Sequence, residues 1–399
     1  MAFGRSKDVR DDAYARAVGL GAIFFVAFFA AYVASAHPPH DVFGNLIGND
    51  FVNTWLGARA ALTGQVHKLF DFPTYTAFQH ALLPPMPMHN WSYPPDILLF
   101  VWPFGFLPYL PAYALWCVLG LAAYLGVACG GGCTKRYLLF LLVGPAVVMN
   151  LFAGQNGFFT AALLIGGLTA LDRRPLLAGL CFGLLTMKPQ LGVLIPLALV
   201  LSGRWRVILA AAGTFAALFV LTWAIFGFSV WTDYVRLAIP FQNHVLNAGT
   251  GLMLMMMPTA FMNVRIMGLT PEMAFYAQLP FTLFAVAAVI WTFYRRRDPL
   301  LSRAVLITAG FVATPYVFNY DMVVFGWLIW TLRDRFSALN DMRLLMLVWS
   351  LPATVVVLGL CHLPGSALVL AGLLARLVWM LKYEDASAQV PHAAQTAAA

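Results

Sequence analysis

Apolar runs separated by short polar breaks occupy nearly the whole chain. The first run covers residues 17–36. A mixed segment, residues 37–96, is the largest polar excursion before the tail. The chain then returns through residues 97–129, interrupted by Pro103, Pro108 and Pro111. That stretch is too long for one straight helix. It predicts a short interfacial or re-entrant helix near 97–107 and a true span near 110–129. Further runs lie near 137–151, 157–171, 175–187, 190–202, 207–226, 273–294, 300–314, 321–332, 344–361 and 366–381. The stretch 252–262 is apolar, Met-rich and short, and is expected to lie at an interface. Counting the runs predicts about 12 crossings, given about 20 apolar residues for a full span. The runs are continuous rather than alternating, which argues against a β-barrel. No internal repeat is visible, which weighs against many transporter folds.

Composition supports this reading and narrows it. Of 399 residues, 61% are hydrophobic and 10% charged, against about 25% charged in a soluble domain. Mean hydropathy is +0.80. These values exclude a soluble enzyme, a disordered chain and a disulfide scaffold. The five cysteines, Cys117, Cys129, Cys133, Cys181 and Cys361, are odd in number and sit in or beside apolar runs. Cys129 and Cys133 lack zinc spacing and read as small buried residues. The net charge of +8 does not point to nucleic acid, because the basic residues fall in small groups between apolar runs.

Those groups orient the chain. A cytoplasmic N-terminus puts Arg5/Lys7/Arg10/Arg16, Lys135/Arg136, Arg173/Arg174, Arg204/Arg206, Arg295/Arg296/Arg297/Arg303, Arg333/Arg335/Arg343 and Lys382 inside, as the positive-inside rule requires. Arg376 lies in the last span, and only Arg59, Lys68, Lys188, Arg236 and Arg265 fall outside. Ala34-Ser35-Ala36 resembles a signal cleavage site, but the run before it is longer than the usual core of about 7–15 residues. An uncleaved first span is expected. The predicted protein is all-α: a polytopic transmembrane helical bundle in the plasma (inner) membrane with both termini cytoplasmic. It is a single domain over 1–383, with residues 37–96 as a first extracytoplasmic loop carrying short interfacial helices. An Ala-rich, disordered cytoplasmic tail would occupy 384–399.

Several runs are too short to cross. About 13 residues make only about 20 Å of helix, against a hydrocarbon core of about 30 Å. The pairs 137–151/157–171, 175–187/190–202 and 300–314/321–332 share this defect, so their outer turns should sit below the membrane surface. Those turns are polar: Gly154-Gln155-Asn156-Gly157, Met187-Lys188-Pro189-Gln190 and Thr314 to Asp321. Polar backbone at such depth must line protein or a wet cavity, and a charge there is functional by default. The plainer readings are snorkelling or carboxylate pairing for Lys188, helix capping for Gln155 and Asn156, and capping or pairing with Lys188 for Asp321.

The outer segment holds Asp41, Asp50, Asp71 and Asp96, and five of the eight histidines: His37, His40, His67, His80 and His89. No histidine pair has i, i+4 spacing in a clear helix, so a metal is conceivable but unsupported. Asp50 opens an expected amphipathic helix reaching Leu62, for which the plainer reading is a helix cap. Asn90-Trp91-Ser92-Tyr93-Pro94-Pro95 is a rigid aromatic element of interfacial type.

As a set, these motifs resemble glycosyltransferase family 87. They are Asp50-Phe51 soon after the first span, Gly57-Ala58-Arg59-Ala60-Ala61-Leu62-Thr63-Gly64, Tyr93-Pro94-Pro95, Gly154-Gln155-Asn156-Gly157-Phe158, Leu171-Asp172-Arg173-Arg174-Pro175 and Lys188-Pro189-Gln190. The resemblance covers most of residues 17–335. It implies a GT-C-type fold and a polyprenyl-phosphate sugar donor, often mannose, with an outer-loop aspartate as catalytic base, here Asp50. Trp55, where relatives often carry tyrosine, and His67-Lys68-Leu69-Phe70 depart from the family pattern.

The chemistry fits the layout. A carboxylate improves a hydroxyl nucleophile. The leaving group is a lipid phosphate, already a stable anion, so one base plus cations on the phosphate would suffice. Asp50 would then be the base, with Lys188, and second Arg59, on the phosphate. Gln155, Asn156 and Gln190 would bond sugar hydroxyls or phosphate oxygens, with Asp321 beside Lys188. Tyr93, Trp91 and Tyr320 would form a stacking wall. The expected reaction is inverting transfer of a hexose to a hydroxyl of a lipid or glycan acceptor on the extracytoplasmic face, with no cofactor. The competing readings are a transporter or flippase of a lipid-linked or anionic solute, a membrane polysaccharide polymerase or ligase, and a structural scaffold.

Overall fold

The computed structural model describes the backbone of residues 2–41, 44–295, 297–336 and 338–395, and the side chains of 12–32, 36–41, 44–295, 297–336 and 338–383. Arg5, Lys7, Arg10 and Arg296, and the tail expected from 384, therefore have side chains outside the described residues. The described residues are helical, and their only β pairing is a pair of isolated bridges joining His37, His40 and Leu46.

Among the described residues, six helices are long and apolar enough to cross a membrane: Asp12–Tyr32, Tyr109–Ala128, Trp205–Phe226, Pro271–Phe293, Leu339–Leu360 and Ser366–Tyr383. A seventh crossing results if the pair Lys135–Leu142 and Pro145–Ala153, bent by 51°, is one broken span. The bend falls at Gly144-Pro145, where the proline ring removes a helix hydrogen bond. The count is thus six or seven by length, where the run count predicts twelve. The difference lies in the short runs. Gly157–Ala170, Pro175–Met187, Pro189–Leu201 and Pro299–Ala313 form as separate helices, each too short to cross alone. The Pro95–Phe106 segment is likewise a short apolar helix, as the prolines predict.

The short helices give the bundle two unlike ends. Gly157–Ala170 starts at the Gln155-Asn156 turn and ends at Leu171-Asp172-Arg173. Val323–Leu332 starts just after Asp321 and ends at Arg333. One end therefore collects the polar turns and the other the arginines. Pro175–Leu184 packs tightly on Trp205–Phe226: a Cβ on Gly179 would lie 2.3 Å from Ala210, and one on Gly183 would lie 2.4 Å from Thr214. Small residues one turn apart let such backbones approach closely.

The outer segment is folded onto the bundle rather than laid over it. Phe51–Leu62 was expected to be amphipathic, yet Phe51 through Ala58 are all buried. Trp91 causes much of this. A Cβ on Gly57 would lie 2.5 Å from its ring, so only glycine admits the indole there. Trp55 donates to the Leu107 carbonyl at 3.0 Å, and Asn53 accepts from the buried Tyr75 hydroxyl. The cysteines also differ from expectation. Cys133 and Cys361 are exposed, and Cys129 Sγ lies 2.6 Å from Cys133 Sγ across the Gly130–Gly132 turn.

Candidate functional site

Three polar turns and one outer helix meet at the turn end. Gly154 closes Pro145–Ala153 in the left-handed region, at φ 65°, which only glycine adopts at no cost. Asn150 then reaches forward, and its Oδ1 accepts from Gly157 N at 2.8 Å. Asn150 thus caps the next helix. Asn156 holds the N-cap position but makes no side-chain cap bond. Gln155 is released from capping.

Gln155 bridges the outer segment to the turns. Its Nε2 donates to Asp50 Oδ2 at 2.9 Å, and its Oε1 accepts from the Tyr93 hydroxyl at 3.1 Å. Asp50 sits at the N-cap of Phe51–Leu62 without a side-chain cap bond. Its backbone N–H is held by Ala153 O at 2.9 Å. The carboxylate is therefore spent on Gln155 rather than on its own helix. Burial, and next the Asp50 charge, hold the Tyr93 hydroxyl well above its ordinary pKa.

Lys188 lies on the neighbouring turn, and its Nζ donates to Asp321 Oδ1 at 2.5 Å. The pair is buried, with the lysine side chain 7% exposed and the aspartate 0%. Asp321 Oδ2 also accepts from Phe318 N at 3.2 Å, so this aspartate both pairs and caps. The ammonium lies 4.9 Å from the centre of the Tyr320 ring, and Tyr320 stacks on Phe318 at 4.9 Å. An ammonium has three donors, and one of them is engaged by Asp321.

These groups surround an open cavity of about 160 Å³, lined by Tyr93, Gln155, Lys188, Gln190 and Tyr320 among others. Asp50 stands one hydrogen bond behind that lining, through Gln155. Among the expected site residues, Asp50, Tyr93, Gln155, Lys188, Gln190, Tyr320 and Asp321 thus gather in one place.

Three others do not join them. Arg59 Nη1 donates to the Gly105 carbonyl at 3.0 Å, and its guanidinium lies 5.8 Å from the Trp55 ring. It fastens the outer helix to the Pro95–Phe106 segment. Trp91 is buried behind the cavity, edge-on to Tyr93 at 5.5 Å, and supports that wall without forming it. Asn156 is buried away from the cavity lining.

Other lining residues were missed. Tyr316, Gln242 and Asn243 face the cavity. The two carboxamides come from Ile239–Ala248, next to a π-helical turn at Tyr234–Ala238, an irregularity frequent at functional sites. The visible signal was a polar Gln-Asn-His run inside an apolar stretch. His89 is a further neighbour. Its N–H is held by Gln79 Oε1 at 3.1 Å, and its Nδ1 lies 3.1 Å from Pro87 O. Burial pushes the imidazole pKa down, while the Asp50 charge and the Pro87 bond oppose that shift.

The cavity combines a cation, several carboxamides and aromatic faces, with the Asp50 carboxylate one hydrogen bond behind its wall. That set suits a ligand with hydroxyls, a ring face and a phosphate. No curated protein and no solved structure matches the chain. Residues 91–315, more than half of the chain, match glycosyltransferase family 87. The chain belongs to glycosyltransferase family 87 and is a multi-pass membrane glycosyltransferase.

Proposed function

We propose that the protein transfers a hexose from a polyprenyl-phosphate carrier to a hydroxyl of a lipid or glycan acceptor on the extracytoplasmic face. In this reading Asp50 takes the proton of the acceptor hydroxyl as that oxygen attacks the anomeric carbon. The bond from that carbon to the carrier phosphate breaks, and polyprenyl phosphate leaves as an anion. One displacement inverts the configuration. Gln155 orients the carboxylate, and the donors of Lys188 left over from Asp321 meet the phosphate. Gln190 bonds sugar hydroxyls, and Tyr93 and Tyr320 flank the ring.

One observation carries the reading: Asp50 leaves its own helix uncapped and turns to Gln155 at the cavity wall. The N–H groups of Phe51, Val52 and Asn53 already bond to the Gly48, Asn49 and Asp50 carbonyls at 2.7, 3.3 and 3.3 Å, so the helix start does not draw the carboxylate away from the cavity wall. The recessed position of the polar turns, expected from the short helices around them, gives a lipid-borne donor a route from the bilayer. The buried Asp321 already balances the charge of Lys188, so the ammonium meets the phosphate as a hydrogen-bond donor.

The test is incubation of the purified protein with a panel of polyprenyl-phosphate sugars and detection of released polyprenyl phosphate. Release that requires an acceptor and fails in Asp50→Asn supports the reading. Full activity in correctly inserted Asp50→Asn overturns the base assignment.

A further inference from the structure

Leu171-Asp172-Arg173-Arg174-Pro175 lies at the arginine end, and the reaction above uses none of it. Its aspartate is fully engaged. Asp172 accepts Arg204 Nη2 at 2.6 Å and Arg303 Nη2 at 3.0 Å, so one carboxylate ties two connections to the helix Pro299–Ala313. The hydrogen bond from Arg204 is the chief reason its carboxyl titrates below the usual range.

The two arginines that follow are left over. Arg173 and Arg174 are exposed. With Arg333 they line an open cleft of about 960 Å³ that also contains Tyr137, Trp327 and Trp330. Arg333 is fixed in place: Nη1 donates to Trp330 O at 2.8 Å, its guanidinium lies 4.6 Å from the Trp330 ring, and Nη2 lies 3.3 Å from Asp334. Among the described residues, no carboxylate lines the cleft. Its charge is therefore positive and uncompensated at Arg173 and Arg174.

The cleft has an apolar side as well. Leu177 lines it, and Leu176, Leu177 and Leu180 project outward from the same helix, 71%, 41% and 44% exposed. Gly157–Ala170 connects the two ends in 14 residues, so the cleft lies about 20 Å from the cavity at helical rise. It is a separate site.

We propose that this cleft binds a phosphate anion, carried by a lipid headgroup or free in solution, held by Arg173 and Arg174 with Arg333 behind them. Guanidinium groups match phosphate oxygens with paired donors. Basic pockets between membrane helices hold anionic headgroups, and tryptophan and tyrosine settle at headgroup depth. The exposed leucines offer acyl chains a path along the helix. The proposal is independent of the reaction at the other end.

Native mass spectrometry of the purified full-length protein tests it. The protein, in neutral detergent, is titrated with phosphatidylglycerol, with phosphatidylcholine, and with inorganic phosphate as a competitor. Wild type should hold phosphatidylglycerol over phosphatidylcholine. Arg173→Gln combined with Arg174→Gln should weaken it about thirtyfold, the order expected for losing two basic contacts to an anionic headgroup. The Arg173→Lys and Arg174→Lys pair should recover part of the binding. Arg206→Gln, exposed at the same end but not lining the cleft, should leave it unchanged. Lipid that inorganic phosphate fails to displace assigns the anion to a headgroup, and displacement assigns it to solution. Equal binding by wild type and the glutamine pair, or equal loss in Arg206→Gln, overturns the proposal. Both arginines are exposed and face no carboxylate, so the variants should keep the wild-type melting temperature, which is measured alongside.

Discussion

Gln155 Nε2 donates to Asp50 Oδ2 at 2.9 Å, across 105 residues of sequence. The bond joins the first helix of the outer segment to the turn after the bent helix pair. If Asp50 is the base, Asp50→Asn keeps this geometry but removes the proton acceptor. Donor turnover should fall about 10²- to 10⁴-fold, the usual worth of general base catalysis. Gln155→Ala should cost less, about ten- to a hundredfold, the value of one hydrogen bond to a charged group. Single-turnover release of polyprenyl phosphate would separate the two. A larger effect at Gln155 than at Asp50 would reverse their roles.

Lys188 and Asp321 make a different prediction, because removing one member strands the other. Lys188→Met leaves a carboxylate buried and should destabilise the protein by about 3–5 kcal/mol. Adding Asp321→Leu should restore most of the melting temperature. If Lys188 also holds the donor, the double variant should melt like wild type and still fail to saturate with donor. A stable double variant with an unchanged donor KM would leave the pair a purely structural role.

Asp96 supplies the pH dependence. Burial raises its carboxyl pKa to about 6, although the hydroxyl of Thr186 and backbone N–H groups oppose the shift. Below about pH 4 the group is protonated whether folded or not. Between about 4 and 6 the unfolded chain releases the proton and the folded one keeps it, so stability should decline as pH rises through that window and level off above it. A shift of about two units is worth on the order of 3 kcal/mol. Melting curves in detergent from pH 4.5 to 7 should show the decline in wild type and a flat line in Asp96→Asn.

Gly57 is where the fold tolerates least. The added methyl of Gly57→Ala would enter the Trp91 ring. Overpacking of this kind costs about 1–3 kcal/mol. The substitution should lower the melting temperature, and Gly57→Ala with Trp91→Leu should recover part of it. No recovery would mean that the indole is not the obstacle.

Helix positions were legible because hydropathy marks them directly: the run 157–171 forms as Gly157–Ala170, and 207–226 as Trp205–Phe226. A count of runs and a count by helix length differ, since a run of about 13 residues satisfies the pattern without the length. Asp50, Gln155 and Lys188 stood out as polar groups beside apolar ones. Arg59 stood out for the same reason, but the Gly105 carbonyl that takes it lies 46 residues away. Burial of Phe51–Leu62 likewise depends on Trp91 and Tyr109, distant partners that no local periodicity reveals. Asn150 and Asn156 are equally good caps by residue type, and only the left-handed turn at Gly154 decides between them.

The short helix Pro175–Met187 has a mechanical consequence for the surrounding lipid. It presents Leu176, Leu177 and Leu180 outward, yet stands only about 20 Å tall. Pro175–Met187 falls short of an ordinary bilayer core, while Trp205–Phe226 beside it is long enough to cross. Lipids there must compress or the protein must tilt, at fractions of a kcal/mol for each ångström of mismatch. Reconstitution into lipids of graded chain length should therefore yield the fastest turnover in the thinner ones.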